Sequence, residues 1–272
     1  MKTFIIVSAL LAVVSASVTR SPITRFSDFL PESRIIGGYL ANLGQFPYQV
    51  ALQISTPQGS LFCGGSIIDA EWILTAAHCS YGAHKVVVIA GSLSLDPLDE
   101  SAQSRNAIQI INHPHFHPIN FKNDIALIKL DSPLEFDQYV LSIGIAGPSE
   151  INNTYDHQIV VASGWGKTSD YSYVQNELRF VDLYVENLET CKKYYNPGLV
   201  TDSKVCVNTD YGTRTPCQGD SGGPLVLQSS GRLIGCTSFG SVTGCQSGSP
   251  SVFTRVAYYY DWIQYNTGLV LN

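Results

Sequence analysis

The sequence predicts an all-β fold, a sandwich or barrel built from many short strands. Short apolar runs rich in Val, Ile and Leu recur at 48–54, 65–68, 85–90, 108–111, 125–130, 158–162, 224–227 and 233–238. Clusters of Gly, Pro, Asn and Ser separate them, the spacing of an all-β chain. Helix signals are scarce. Residues 187–195 read as a short helix. Residues 256–267 read as a better one, with Val256, Tyr259, Tyr260 and Ile263 on one face and Gly268 as a stop. No internal repeat, low-complexity tract or interdomain linker stands out.

Composition fits this reading. The chain has 272 residues, of which 14% are charged and 11% aromatic, with 23 glycines. That suits a turn-rich globular protein with a sizeable core and argues against disorder. The net charge of −6 excludes a basic nucleic-acid footprint.

The first residues read as a secretory signal. Lys2 supplies the positive start, 4–14 an apolar core too short to span a bilayer, and Ser15, Ala16 and Ser17 the small residues of a cleavage site. The expected leader is 1–16, cut after Ala16, and the expected product is secreted, extracellular and free of a membrane anchor. Export gives meaning to seven cysteines, at 63, 79, 191, 206, 217, 236 and 245. In an oxidising compartment most should pair, and an odd number leaves at least one over. Segment 17–34 has no periodicity and reads as a flexible spacer. It ends at Arg34, a basic residue before Ile35-Ile36-Gly37-Gly38 that makes an accessible cut site.

The chemistry centres on Gly219-Asp220-Ser221-Gly222-Gly223, which fits G-x-S-x-G. An α/β-hydrolase would need its acid and histidine after that serine. The last histidine in the chain is His157, so that design is excluded. The remaining order is histidine, aspartate, serine. His78 lies in TAAHC (75–79) and Asp124 heads DIALIKL (124–130). Taken singly, each has a bland reading: a structural histidine beside a cysteine, a turn aspartate before a strand, a serine in a loop.

Together with IIGG (35–38), SGWG (163–166) and CQGDSGGP (217–224), these motifs resemble the chymotrypsin/trypsin family of serine peptidases, from Ile35 to the C-terminal helix. The resemblance implies two packed six-stranded antiparallel Greek-key barrels, at about 35–145 and 146–272, and a short C-terminal helix, making 35–272 a trypsin-like peptidase domain. It implies Ser221 as nucleophile, His78 as the base that a weakly nucleophilic hydroxyl requires, and Asp124 as the group that orients the imidazole. Backbone N–H groups of Gly219 and Ser221 would form the oxyanion hole. Cleavage after Arg34 would free the Ile35 amine to pair with Asp220, so 17–34 would be an activation propeptide.

The family pairing implies disulfides Cys63–Cys79, Cys191–Cys206 and Cys217–Cys245, with Cys236 left as a buried free thiol. Val160 and Leu227 occupy the positions of a further pair common in vertebrate relatives. The pocket for the residue before the scissile bond would be walled by 215–218, 238–240 and 250–253, with Thr215 at its base, Ser251 near it, Ser238 on one wall and Gly240 leaving the entrance open. No fixed negative charge awaits Lys or Arg, so cleavage after Phe, Tyr or Leu is expected. SFGSVTGC (238–245) also resembles arthropod chymotrypsin-like and collagenolytic peptidases, which keeps an elastase-like or broad collagenolytic specificity as the alternative.

Other features carry less. His113, His115 and His117 alternate in HPHFHP, a weak metal pattern that two prolines turn into a loop. Gly91-Ser92-Leu93-Ser94 lacks the glutamates of the family's calcium loop, so no metal and no cofactor are expected. Asn152 opens an Asn-Asn-Thr glycosylation sequon. Expected partners are protein and peptide substrates, an activating trypsin-like protease and proteinaceous protease inhibitors, acting on a monomer. A non-catalytic binding protein would lack a triad member, and none is missing. Segment 17–34 is too short for the modules of a cascade protease, which points to extracellular protein digestion.

Overall fold

The structure, a computed structural model, describes residues 35–271. The expected leader 1–16, the spacer 17–34 with Arg34, and Asn272 lie outside the described residues. The chain opens with a short strand β1 (Tyr39–Leu40) and then builds β2 (Gln49–Thr56), β3 (Gly59–Asp69), β4 (Trp72–Thr75), β5 (Lys85–Ala90), β6 (Gln103–Asn112) and β7 (Ala126–Leu130). These six close into an antiparallel barrel in the order β2-β3-β4-β7-β6-β5. Alternation decides which side chains fill it. Val50, Leu52 and Ile54 of β2 point into the barrel with Ile73, Val86, Val88 and Ile128. Ala51, from the opposite face of β2, packs instead with Trp165 and Leu178 of the second half, so this strand is buried on both sides.

The second barrel uses β8 (Ile159–Gly164), β9 (Arg179–Glu186), β10 (Lys204–Asn208), β11 (Pro224–Leu227), β12 (Arg232–Phe239) and β13 (Ser251–Arg255). Their order is β9-β10-β13-β12-β11-β8, and the β8–β9 pairing closes the ring, with β1 added outside on β9. Two closed barrels leave few free strand edges. Val160 and Leu227, the cysteine-free pair, face each other across β8 and β11, and both are buried. Apolar packing fills the place of that crosslink.

The apolar runs of the sequence leave out β1, β4, β9, β10 and β13. Strand β9 alternates apolar and polar residues, with Val181, Leu183 and Val185 inward, and β10 and β13 each include a charged residue that is buried, Lys204 and Arg255. Helices are as sparse as expected: α1 (Ala77–Ser80), α2 (Leu188–Lys192) and α3 (Tyr260–Thr267). The expected 256–267 helix begins as a 3-10 turn, Val256–Tyr259, before α3.

Both ends of the described chain cross to the opposite half. Ile35 is buried among Ala162, Val181, Leu225 and Phe253 of the second barrel. Ile263 of α3, with Val256 and Tyr259, packs on Ile68, Trp72 and Leu74 of the first. A fully buried Ile such as these stabilises by roughly 1.5–3 kcal/mol, so each end pins the barrels together. Disulfides Cys63–Cys79, Cys191–Cys206 and Cys217–Cys245 join residues 16, 15 and 28 positions apart, the first tying β3 to α1 and the second α2 to β10. Cys236 is buried and free. Among the described residues no helix is long and apolar enough to cross a membrane.

Candidate active site

His78 sits in α1, a single turn that follows β4 and is fastened by the Cys63–Cys79 disulfide next to it. Asp124 lies just before β7 and is completely buried. One carboxylate grips both parts of His78: Oδ1 accepts from the His78 backbone N–H at 2.9 Å, and Oδ2 lies 2.8 Å from the ring Nδ1. This fixes the ring with Nδ1–H towards the acid and turns Nε2 away from it, where its one recorded neighbour among the described residues is Cys79 Sγ at 3.7 Å. Asp124 Oδ2 also accepts from Ser238 Oγ at 2.6 Å, and the Asp124 carbonyl accepts from Thr254 Oγ1 at 2.8 Å. Burial alone would raise the Asp124 pKa. The charges of His78 and Lys204 and the hydrogen bonds of His78 and Ser238 outweigh it and hold the carboxyl below its ordinary range.

Ser221 is half-buried in the turn between Cys217 and β11, and its carbonyl accepts from Gly64 N–H of the first barrel at 2.8 Å. That bond docks the serine loop beside the turn that carries His78. No hydrogen bond joins Ser221 Oγ to His78. The loop's amides divide into two sets. Those of Asp220, Gly222 and Gly223 donate to Cys217, Thr237 and Asp220 carbonyls at 3.0, 2.8 and 2.9 Å. Those of Gly219 and Ser221 have no acceptor among the described residues. Gly219 has φ +103°, a backbone that disfavours any side chain, and a Cβ there would meet the Gly166 Cα at 2.9 Å.

Asp220 points the other way, into the second barrel, and is 2% exposed. Among the described residues its carboxylate accepts only backbone N–H groups, from Gly166 and Cys217, each at 2.8 Å. The SGWG run is explained here: a Cβ at Gly164 or Gly166 would collide with the carboxylate oxygens. No described cation reaches Asp220. Burial pushes its pKa up to about 6 against the lowering by two amide bonds. The segment after Arg34 already lies close, since Thr215 N–H donates to the Ile36 carbonyl at 3.1 Å and Cys217, two residues on, holds Asp220.

Ser221 opens on a cavity of about 110 Å³ lined by Thr215, Gln218, Ser238, Gly240, Ser249 and Ser251 among others. This approaches the ~150 Å³ cavity that holds a benzene ring. At its base Thr215 Oγ1 and Ser251 Oγ are 2.8 Å apart, and Thr215 Oγ1 also donates to the Pro216 carbonyl at 2.9 Å. The floor is therefore neutral and internally satisfied. A Cβ at Gly240 would meet nothing within 4 Å, so the mouth is open. The third expected wall ends at Ser251, because Phe253 turns into the second core. A larger groove, about 310 Å³, shares no lining residue with this site. It includes Asn152, which is exposed, and Arg255, whose guanidinium is hydrogen-bonded to Asp202, Asn153 and Lys204 carbonyls.

The trypsin family profile matches residues 35–263. A collagenase of Hypoderma lineatum is 40% identical over 98% of this chain and 99% of its own length. Brachyurin of Leptuca pugilator is 37% identical over 86% and 99%. A solved collagenase structure superposes with TM-score 0.80 at 41% identity, covering 86% of this chain and 99% of the other. The chain belongs to the trypsin family of serine proteases. Its substrates are accordingly proteins.

Sequence reasoning named most of the side chains at this trypsin-family site but missed four that support it. Thr254 anchors the Asp124 backbone. Phe121 stacks edge-on against His78, with ring centroids 5.6 Å apart, and against Phe239 at 5.5 Å. Gly64 docks the serine loop. Lys204 is buried to 1% exposure beneath the triad. The one sequence signal for Lys204 is a charge within an otherwise apolar strand pattern, Lys-Val-Cys-Val. The HPHFHP histidines form no cluster able to hold a metal among the described residues. His113 packs on Tyr259 and Trp262 instead, where burial and His115 lower its pKa.

Proposed function

We propose that this trypsin-family chain is a secreted serine endopeptidase made as an inactive precursor and activated by a cut after Arg34. The reading rests on one observation above the rest: a fully buried carboxylate grips both the ring and the backbone of His78 beside a neutral cavity that Ser221 lines. Ser221 Oγ gives its proton to His78 Nε2 and attacks the substrate carbonyl. The oxyanion is received by the Gly219 and Ser221 amides, each worth roughly 3 kcal/mol in the transition state. His78 then returns the proton to the leaving amine as the C–N bond breaks, and water repeats the sequence to release the acyl group. Asp124 stabilises the imidazolium throughout and stays ionised.

Activation follows from Asp220. A buried carboxylate without a cation is costly, and a new amine at Ile35 would supply one. Ile35 and Ile36 are already buried, and Ile36 bridges Thr215, two residues before Cys217, so a freed amine has a short way to go. Pairing would hold the loop that carries Gly219 and Ser221. Three disulfides and the leader-like 1–16 support export.

Specificity is chymotrypsin-like. The neutral Thr215–Ser251 floor and the open Gly240 favour Phe, Tyr or Leu over Lys or Arg. A broader, collagen-directed specificity is the second reading, favoured by the 40% identity to a protein named collagenase. Fluorophosphonate labelling of the cleaved chain, lost in Ser221→Ala, tests the enzyme against a binding protein of the same fold. Peptides varied at the residue before the scissile bond test the pocket. Dominant cleavage after Arg would refute the chymotrypsin-like assignment.

A further inference from the structure

We infer that Lys204 is a positioning residue of the triad, an internal cation whose three ammonium protons hold Asp124 and the Phe121 cover of His78 in place. The inference deepens the proposed catalytic site and rests on it. Lys204 begins β10 and sits beside Thr254 of β13, which in turn pairs with Cys236 of β12. Its Nζ donates to the Phe121 carbonyl at 2.8 Å, to Ser238 Oγ at 3.0 Å and to Thr254 Oγ1 at 3.2 Å. Every ammonium proton is used, which a buried cation requires.

The acceptors give the arrangement its meaning. Ser238 Oγ donates onward to the Asp124 carboxylate, and Thr254 Oγ1 donates to the Asp124 carbonyl. A hydroxyl has one proton. An ammonium can only donate, so Lys204 occupies one lone pair of each hydroxyl and turns its proton away from itself, towards the Asp124 acceptor on the other side. The third proton fixes the Phe121 carbonyl, in a turn where Phe121 has φ +51° and Asn123 φ +52°, a backbone that needs outside support. The Phe121 ring covers His78, and the ammonium also lies 5.4 Å over the Phe239 ring. Three routes from one cation thus converge on the acid and the base. Lys204, Ser238 and Thr254 belong to the second barrel, whereas Phe121, Asp124 and His78 belong to the first.

The charge supports the geometry. Titratable groups facing the ammonium are Asp124 and the Cys236 thiol, with His78 beyond Asp124 and Arg255 bound to the Lys204 carbonyl on the other side. Burial lowers the Lys204 pKa to about 8 against the attraction of Asp124. Below that pH the cation is intact. Above it the amine can accept as well as donate, and the hydroxyl directions are no longer forced.

The test uses the cleaved enzyme, with kcat normalised to fluorophosphonate-labelled sites. Lys204→Met should lower kcat about 10- to 100-fold, the scale of a small misplacement of catalytic groups, with KM within about twofold. A double mutant with Ser238→Ala should lose no more in kcat than the worse single variant. Lys204→Gln, which keeps an amide donor, should fall between. In the unaltered enzyme the proton-NMR signal of the His78 Nδ1–H should shift as pH passes about 8. Unchanged kcat in either variant, full additivity, or a signal flat between about pH 6 and 10 would each overturn the inference. Labelling that persists with wild-type kcat in Lys204→Met fails this inference alone, whereas loss of labelling specificity for Ser221 fails the triad.

Discussion

Two buried aspartates, Asp124 and Asp220, meet opposite fates in this molecule. Asp124 is reached by His78, Ser238 and the nearby Lys204, and its pKa falls. Asp220, equally buried, is reached by two backbone amides, and its pKa rises to about 6. Burial acts alike on both. What differs is the cation, present beside one and missing among the described residues around the other. The first carboxylate is finished and ready to stabilise a neighbouring charge. The second is left waiting for a partner, which the proposed Ile35 amine would provide.

The sharpest way to break this comparison is to neutralise the finished site. Asp124→Asn should lower kcat about 10⁴-fold, because the amide can hold the wrong imidazole tautomer, and steady-state peptide hydrolysis checks it. Neutralising the waiting site should act with opposite sign in the two forms of the chain. In the cleaved enzyme Asp220→Asn removes one member of a buried pair. The expected loss is about 3–5 kcal/mol, read as a fall of roughly two to four decades in the active fraction by burst titration.

In the uncleaved chain, kept intact by Arg34→Gln, the same Asn should stabilise at neutral pH. The sign follows from the raised pKa. The folded state binds the Asp220 proton more tightly than the unfolded chain does. Stability is therefore full below the ordinary carboxylate range and is lost as pH rises through about 6. A shift from 3.8 to about 6 corresponds to about 3 kcal/mol. Urea unfolding between pH 4 and 8 should show that slope in Arg34→Gln and lose it when Asp220→Asn is added. A flat profile would mean that Asp220 already has a cation before cleavage. The smallest effect concerns Cys236, whose thiol is held neutral by burial near Asp124. Cys236→Ala should cost about 1 kcal/mol in thermal unfolding and leave kcat unchanged, since the thiol contributes packing and not charge.

How far the site could be read from sequence varied with the residue. Ser221, His78 and Asp124 were legible because their order along the chain excluded the competing hydrolase design and because each lies in a recognisable motif. The glycines of SGWG were legible as a motif but not as a cause. Their reason is the Asp220 carboxylate packed against both, a contact across 54 residues. Among strands, the continuous apolar runs were read and the mixed ones were not. Strand β10 failed that reading for the reason that makes it interesting, a buried lysine at its first position.

By itself the sequence determined the class of fold and put forward the proposed nucleophile and the two residues that would serve it, since these follow from local periodicity, motif and chain order. It also determined that the pocket floor would carry no charge, through Thr215. Only the tertiary structure decided what surrounds each carboxylate. Lys204 reaches Phe121 across 83 residues, Ser238 reaches Asp124 across 114, and Thr254 reaches it across 130. The sign of a buried group's pKa depends on atoms a few ångströms away in space, and barrel closure brings those atoms from distant strands. Local sequence can name a carboxylate, but only closure of the two barrels decides whether it meets a cation.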